Sequence, residues 1–194
     1  MTGKAVSRVS RGGGMDNFRS DTDRYTIEDI LNLPAGIHKE LIDGKVYDMA
    51  TPSPEHQRIV TGFVWKIKDY IKKKGGDCEV FPAPFGVFLS ENEDTFLEPD
   101  VSVVCDKNKI SKRGCEGAPD WVIEVVSPSS RSMDYLLKLL KYRQSGVRLY
   151  WIVDPQGNTV SVYDFQSDTV ESYTFADTIP VSIYDDLSID MPEL

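Results

Sequence analysis

Cysteine, histidine and long apolar runs are what this chain of 194 residues has least of. Its three cysteines, Cys78, Cys105 and Cys115, are odd in number and include no C-x-x-C pair, so the sequence suggests neither a disulfide framework nor a structural zinc site. No apolar signal segment is present and the composition excludes a membrane-spanning class, so the expected setting is reducing and cytoplasmic, with no membrane partner. Hydrophobic residues nevertheless make up 40% of the chain, which excludes a disordered or collagen-like polymer. At roughly 150 residues per domain, one globular domain with a core of its own is the default reading.

Positive charge is missing from one part of the chain. From Leu149 to Leu194 there is no Lys, Arg or His, against nine acids: Asp154, Asp164, Asp168, Glu171, Asp177, Asp185, Asp186, Asp190 and Glu193. The whole chain has 22 Lys and Arg against 31 Asp and Glu, so residues 1–148 are balanced and the net charge of −9 lies in the C-terminal segment. Acidity repels nucleic acid at long range, but here only from that segment, which disfavours a nucleic-acid enzyme without excluding one.

What is present alternates between strand and helix signals. The first fourteen residues carry Lys4, Arg8 and Arg11, no acid, and a run of three glycines; residues 1–20 read as a flexible extension and 21–194 as a single domain. Thr26, followed by Glu28 and Asp29, caps a short helix ending before Pro34. His38 to Met49 reads as a hairpin, because Asp43-Gly44 supplies the positive φ of a tight turn. Ser53 caps a longer helix, with Pro54 in its first turn, apolar residues from Ile59 to Ile71 at helical spacing, and Gly75-Gly76 at its end. Short β-rich runs follow at Cys78–Phe81, Gly86–Leu89, Val101–Val104 and Trp121–Val126. A second helix over roughly Met133–Ser145 is expected to turn Met133, Leu136, Leu137 and Leu140 inward, with Val147 beyond it. Leu149–Pro155 reads as a buried strand, and Thr159–Phe165 with Thr169–Phe175 as a C-terminal hairpin. Strand, helix, strand over 121–153 has the length of a right-handed crossover, so a mixed sheet of α/β type is expected.

Glu124 is the residue that asks for an explanation. It lies inside Trp121–Val126, a run apolar on both faces, where a carboxylate must be paired, metal-bound or protonated. Asp100 stands at the entry of the neighbouring strand, and if the two strands pair, two carboxylates converge where a hard cation such as Mg²⁺ finds oxygen ligands. On the second helix Asp134, Lys138 and Tyr142 fall at i, i+4 and i+8 and share a face. Lys138 can then orient a water or hold charge developing on a phosphate, with Lys141 as the alternative lysine. Each residue also has a plainer reading. Glu124 could be an edge-strand residue or the partner of a nearby lysine, Asp100 a turn residue after Pro99, Lys138 an exposed partner of Asp134, and Glu40 the partner of a basic neighbour across the hairpin. His56 is placed near the site, and His38 has no partner legible in the sequence. Lys66, Lys68, Lys72, Lys73 and Lys74 read first as a solvated helix face, although with Lys107, Lys109, Lys112 and Arg113 they could form the basic footprint of a nucleic-acid channel.

Six pieces in order carry a family resemblance: Glu40-Leu41-Ile42-Asp43-Gly44; Ser53-Pro54-Glu55-His56; Pro99-Asp100; Val122 to Pro128; Asp134 with Lys138 and Tyr142; and Tyr150 to Pro155. From about Tyr25 onward the chain resembles the Uma2 family of restriction-endonuclease-like proteins, within the PD-(D/E)XK nuclease superfamily. The resemblance implies a restriction-endonuclease-like core, a central mixed β-sheet flanked by helices, here with extra N-terminal and C-terminal hairpins. It implies Asp100 and Glu124 as Mg²⁺ ligands, with Val125 in the ligand set, Mn²⁺ as a substitute ion, Lys138 and Glu40 as catalytic or supporting residues, and His56 beside them. The superfamily lysine normally stands two residues after the glutamate, where this chain has Val126; Lys138 is the residue that fits in its place. The function implied is Mg²⁺-dependent endonucleolytic hydrolysis of DNA phosphodiester bonds, by a protein expected to pair as a homodimer. The alternative is a catalytically inactive module of the same fold used for binding or assembly, which the missing lysine and the C-terminal acidity would suit.

Overall fold

The computed structural model describes residues 24–89, 94–127, 130 and 132–192; the extension expected over 1–20 lies outside the described residues. Helix α1 (Ile27–Leu31) opens on Thr26, whose side chain accepts from the Asp29 amide while the Asp29 side chain accepts from the Thr26 amide, a reciprocal cap that satisfies two otherwise orphaned donors. Strands β1 (Lys39–Ile42) and β2 (Lys45–Asp48) pair across Asp43 and Gly44, whose φ values of 51° and 75° are those a two-residue hairpin turn requires. Helix α2 (Pro54–Lys74) starts on Ser53, whose side chain accepts from the His56 amide, and stops at Gly75 in the left-handed region.

Strands β3 (Glu79–Pro82), β4 (Val87–Phe88), β5 (Phe96–Leu97), β6 (Val101–Val104), β7 (Cys115–Glu116) and β8 (Trp121–Val125) follow. The crossover begins as a π-helical turn, Met133–Lys138, and continues as α3 (Leu139–Ser145). The chain ends in β9 (Leu149–Asp154), β10 (Thr159–Asp164), β11 (Thr169–Thr174), β12 (Thr178–Pro180) and β13 (Ser188–Asp190). The central sheet has the order β11-β10-β9-β8-β6-β3. It is mixed: β8 and β9 are parallel, as a crossover demands, and the other neighbours are antiparallel.

A five-stranded sheet, β2-β1-β5-β4-β7, carries the N-terminal hairpin, and β12 with β13 form a small ribbon. Because side chains alternate along a strand, Trp121, Ile123 and Val125 face α2 and pack with Ile59, Phe63, Ile67 and Trp151. Val122 and Val126 fall in the opposite core with Tyr142, Tyr150 and Ile152. Each such fully buried large apolar side chain contributes roughly 1.5–3 kcal/mol. Glu124 alternates onto this second side, between the sheet and the crossover helix. The architecture is thus the α+β, restriction-endonuclease-like core that was expected, with helices against a mixed sheet.

Two expectations are corrected. Cys78 and Cys105 are joined in a disulfide, whereas the odd cysteine count suggested none. Glu79 pairs with Val104, so the cysteines flanking that pair meet one step further along the β3–β6 ladder, a proximity that no sequence spacing reveals. The crossover helix is also turned round. Leu136, Leu137 and Leu140 are 63%, 39% and 54% exposed, while Asp134 and Lys138 are buried, so its polar stripe faces the sheet and these three leucines face outward. Met133 is only partly buried, and Val147 alone of the five is in the core. No described helix is long and apolar enough to cross a membrane.

Candidate active site

The register of the central sheet brings the two carboxylates together. Val101 stands opposite Ile123, so one residue earlier Asp100 comes level with Glu124. Their main chains lock them: the Val125 amide donates to Asp100 Oδ2 at 2.8 Å, and the Asp100 amide donates to Glu124 Oε2 at 3.4 Å. The other oxygen of Glu124, Oε1, accepts from Lys138 Nζ at 3.0 Å and from the Tyr142 hydroxyl at 2.8 Å. Val125 contributes through its main chain only, since its side chain belongs to the core beneath α2.

Lys138 is the hub of the cluster. Its ammonium lies 2.9 Å from Glu40 Oε1, 3.0 Å from Glu124 Oε1 and 3.4 Å from Asp134 Oδ1. Glu40 reaches it from β1, and its Oε1 also accepts the Glu98 amide at 3.2 Å, so it is not merely the partner of a basic neighbour across the hairpin. Tyr150 on β9 donates to the Asp134 carbonyl at 3.1 Å, tying the π-helical turn to the sheet. His56, in the first turns of α2, reaches Asp100 Oδ2 through Nε2 at 3.1 Å.

Electrostatically the cluster is short of positive charge. Glu40, Glu124, Asp134 and Lys138 are all buried, and one ammonium cannot balance three carboxylates. Burial, the largest influence, pushes the Glu124 carboxyl well above the usual range. Lys138 opposes the rise, and the charges of Asp134, Asp100 and Glu40 add to it. Glu40 and Asp134 are raised too, again first by burial. Burial works against the Lys138 charge, but the surrounding carboxylates outweigh it and hold the ammonium well above its ordinary value. His56 is likewise raised, because its hydrogen bond to Asp100 and the charge there overcome burial.

Other residues lie apart from the cluster. Lys141 pairs with Asp43 on the β1–β2 turn, which leaves Lys138 as the lysine among the carboxylates. His38 does have a partner, Glu98, at 3.1 Å, brought close by pairing of β1 with β5. Among the candidate basic residues, Lys73, Lys74 and Lys107 are paired with Asp69, Asp186 and Asp77. Asp134 and Tyr142 shared a legible helical face with Lys138, but Tyr150 lies in an apolar strand with nothing in the sequence to mark it.

A mixed sheet carrying a buried carboxylate–lysine cluster beside the entry of one central strand defines the class: a restriction-endonuclease-like fold. The family described as Uma2, "Putative restriction endonuclease", matches residues 27–191, and the chain belongs to it. A crystal structure from Anabaena variabilis, described as "a putative nuclease belonging to DUF820", superposes with a TM-score of 0.71 at 26% identity, over 85% of this chain and 94% of that one. An uncharacterized protein of Synechocystis sp. is 30% identical over 95 residues, 49% of this chain. The match spans 48% of that relative's length. Family and structural neighbour agree on the fold and on a nuclease-like family for this chain.

Proposed function

We propose that this protein is a Mg²⁺-dependent endonuclease that hydrolyses DNA phosphodiester bonds, with Mn²⁺ as a working substitute. The observation that carries the reading is the cross-linked pair: Asp100 and Glu124 on adjacent strands, each accepting from the other strand's amide, with Lys138 on the outer oxygen of Glu124. The residues fit the ion. Among the described residues no three acidic, His or Cys side chains form a ready metal cage, and Mg²⁺ asks for none, since it is commonly held by one or two carboxylates with waters and substrate phosphate. The unbalanced buried carboxylates supply the charge that a dication would neutralise.

Asp100, Glu124 and the main chain of Val125 would hold the ion. When bound, it supplies Lewis acidity toward the phosphate and a more acidic water. The chain's own groups do the rest. Lys138 fixes Glu124, Glu40 and Asp134 in one arrangement and places a permanent positive charge where the phosphate gains negative charge. Glu40 holds Lys138 from the far side, and His56 orients Asp100 from α2. A duplex offers two strands, and two copies about a two-fold axis would bring one such site to each.

The second reading, a catalytically inactive module, is favoured by one observation: Lys138 is already engaged by three carboxylates, as in a purely structural network. Calorimetric titration of Mn²⁺, followed by nicking of supercoiled plasmid in Mg²⁺ or Mn²⁺ against chelator, separates the two. A nuclease binds Mn²⁺, nicks the plasmid, and loses both in Asp100→Asn while remaining folded by circular dichroism. Wild-type protein that takes up no Mn²⁺ and leaves the plasmid intact is the module.

A further inference from the structure

Tyr142 poses a question that the metal ligands alone do not answer. Its ring is fully buried in a core of Ile42, Val122, Val126, Val147 and Ile152, tilted at 56° to the Tyr150 ring with centroids 4.9 Å apart. Phenylalanine would fill the same space without desolvating a hydroxyl. The hydroxyl has one hydrogen-bond partner among the described residues, Glu124 Oε1 at 2.8 Å, the oxygen that also takes Lys138 at 3.0 Å. Among the described residues, Oε2 receives only the long 3.4 Å contact from the Asp100 amide.

A carboxylate turns about a soft terminal torsion, and Lys138, shared among three acids, is a weak restraint on that turn. Tyr142 is not shared. We infer that Tyr142 is a positioning residue. With Lys138 it saturates Oε1 of Glu124, fixes the plane of the carboxylate, and leaves Oε2, the oxygen nearest Asp100, as the one that meets the cation. Hydrogen bonds of this kind orient metal-ligating side chains, and losing one typically weakens metal affinity 10- to 100-fold. The inference rests on the metal-dependent reading above and adds to it the choice of ligating oxygen.

The test is calorimetric titration of Mn²⁺ into wild-type protein and three variants, with apo melting temperatures as a parallel measure. Glu124→Gln is the reference that loses binding. Tyr142→Phe keeps the ring, folds, and binds Mn²⁺ about 10- to 100-fold more weakly. Tyr184→Phe removes a buried hydroxyl in the core beneath α2, away from the cluster, and keeps its Mn²⁺ affinity within about twofold. Tyr142→Phe with wild-type affinity, while Glu124→Gln has lost it, overturns this inference alone. Equal weakening in both tyrosine variants also overturns it, because the effect would then be general loosening of the core. Wild-type protein that does not bind Mn²⁺, or Glu124→Gln that binds as wild type does, removes the metal site and this inference with it.

Discussion

Burial alone would discharge His56, and the neighbouring Asp100 reverses that outcome. The folded value lies above the ordinary 6.5, so the stability contributed by this contact is fully present below pH 6.5 and fades as pH rises through the folded value. A nuclear magnetic resonance titration of the two histidines should find His56 with a midpoint above 6.5. Asp100→Asn should lower it, because the hydrogen bond and charge of Asp100 are the two largest influences that oppose burial; an unchanged midpoint would mean that Asp100 is not its partner. At Lys138 the same logic acts on a larger scale. Lys138→Met leaves Glu40, Glu124 and Asp134 buried without a cation, a change that typically costs about 3–5 kcal/mol. The carboxyls of these residues are already raised, so the loss should shrink as pH falls and they protonate. Chemical denaturation at neutral and mildly acidic pH measures both values, and a loss that does not change with pH would place the cost elsewhere.

Among the elements, the crossover helix departs most from expectation, and it shows where sequence reading stops. Its leucines fit an inward apolar stripe as well as Asp134, Lys138 and Tyr142 fit an inward polar one. Only the carboxylates waiting on β8 and β1 decide between them. Leu140→Glu on the outward face should therefore change stability by less than about 0.5 kcal/mol, as surface substitutions do, whereas a buried leucine would lose about 2–5 kcal/mol on truncation alone. Thermal denaturation of this variant settles the orientation.

The strongly periodic or punctuated pieces were legible: the Ser53 cap and Gly75 stop of α2, the Asp43-Gly44 turn, and the apolar run of β8 interrupted by Glu124. So was the convergence of Asp100 and Glu124, because it needed only two adjacent strands to pair. Two-residue strands such as β5 and β7 left no pattern, since their pairing is set by distant partners. His38 meeting Glu98 and Tyr150 holding the π-helical turn are likewise products of tertiary register, which no local window contains.

At the scale of the whole molecule, the Cys78–Cys105 bond is at odds with the reducing setting that the sequence suggested, and experiment can decide which description holds for the protein in solution. The bond spans 27 residues and ties the edge strand β3 to β6, the strand that delivers Asp100. Loop closure of that length stabilises a fold by about 3–4 kcal/mol in the chain-entropy account, which for a protein of this size corresponds to roughly 10 °C in melting temperature. Protein unfolded without reductant should then show one reactive thiol, that of Cys115, the free and buried cysteine. Cys78→Ser should melt about 10 °C below oxidised wild type, and adding reductant should bring wild type down to meet it. Three reactive thiols, with a melting temperature indifferent to reductant, would mean that hydrogen bonding between β3 and β6 holds the edge strand unaided. The metal site would then stand on the sheet's own register, independent of redox conditions. A melting temperature that falls with reductant, together with weaker Mn²⁺ binding, would instead show that the placement of Asp100 depends on the covalent tie at the other end of β6.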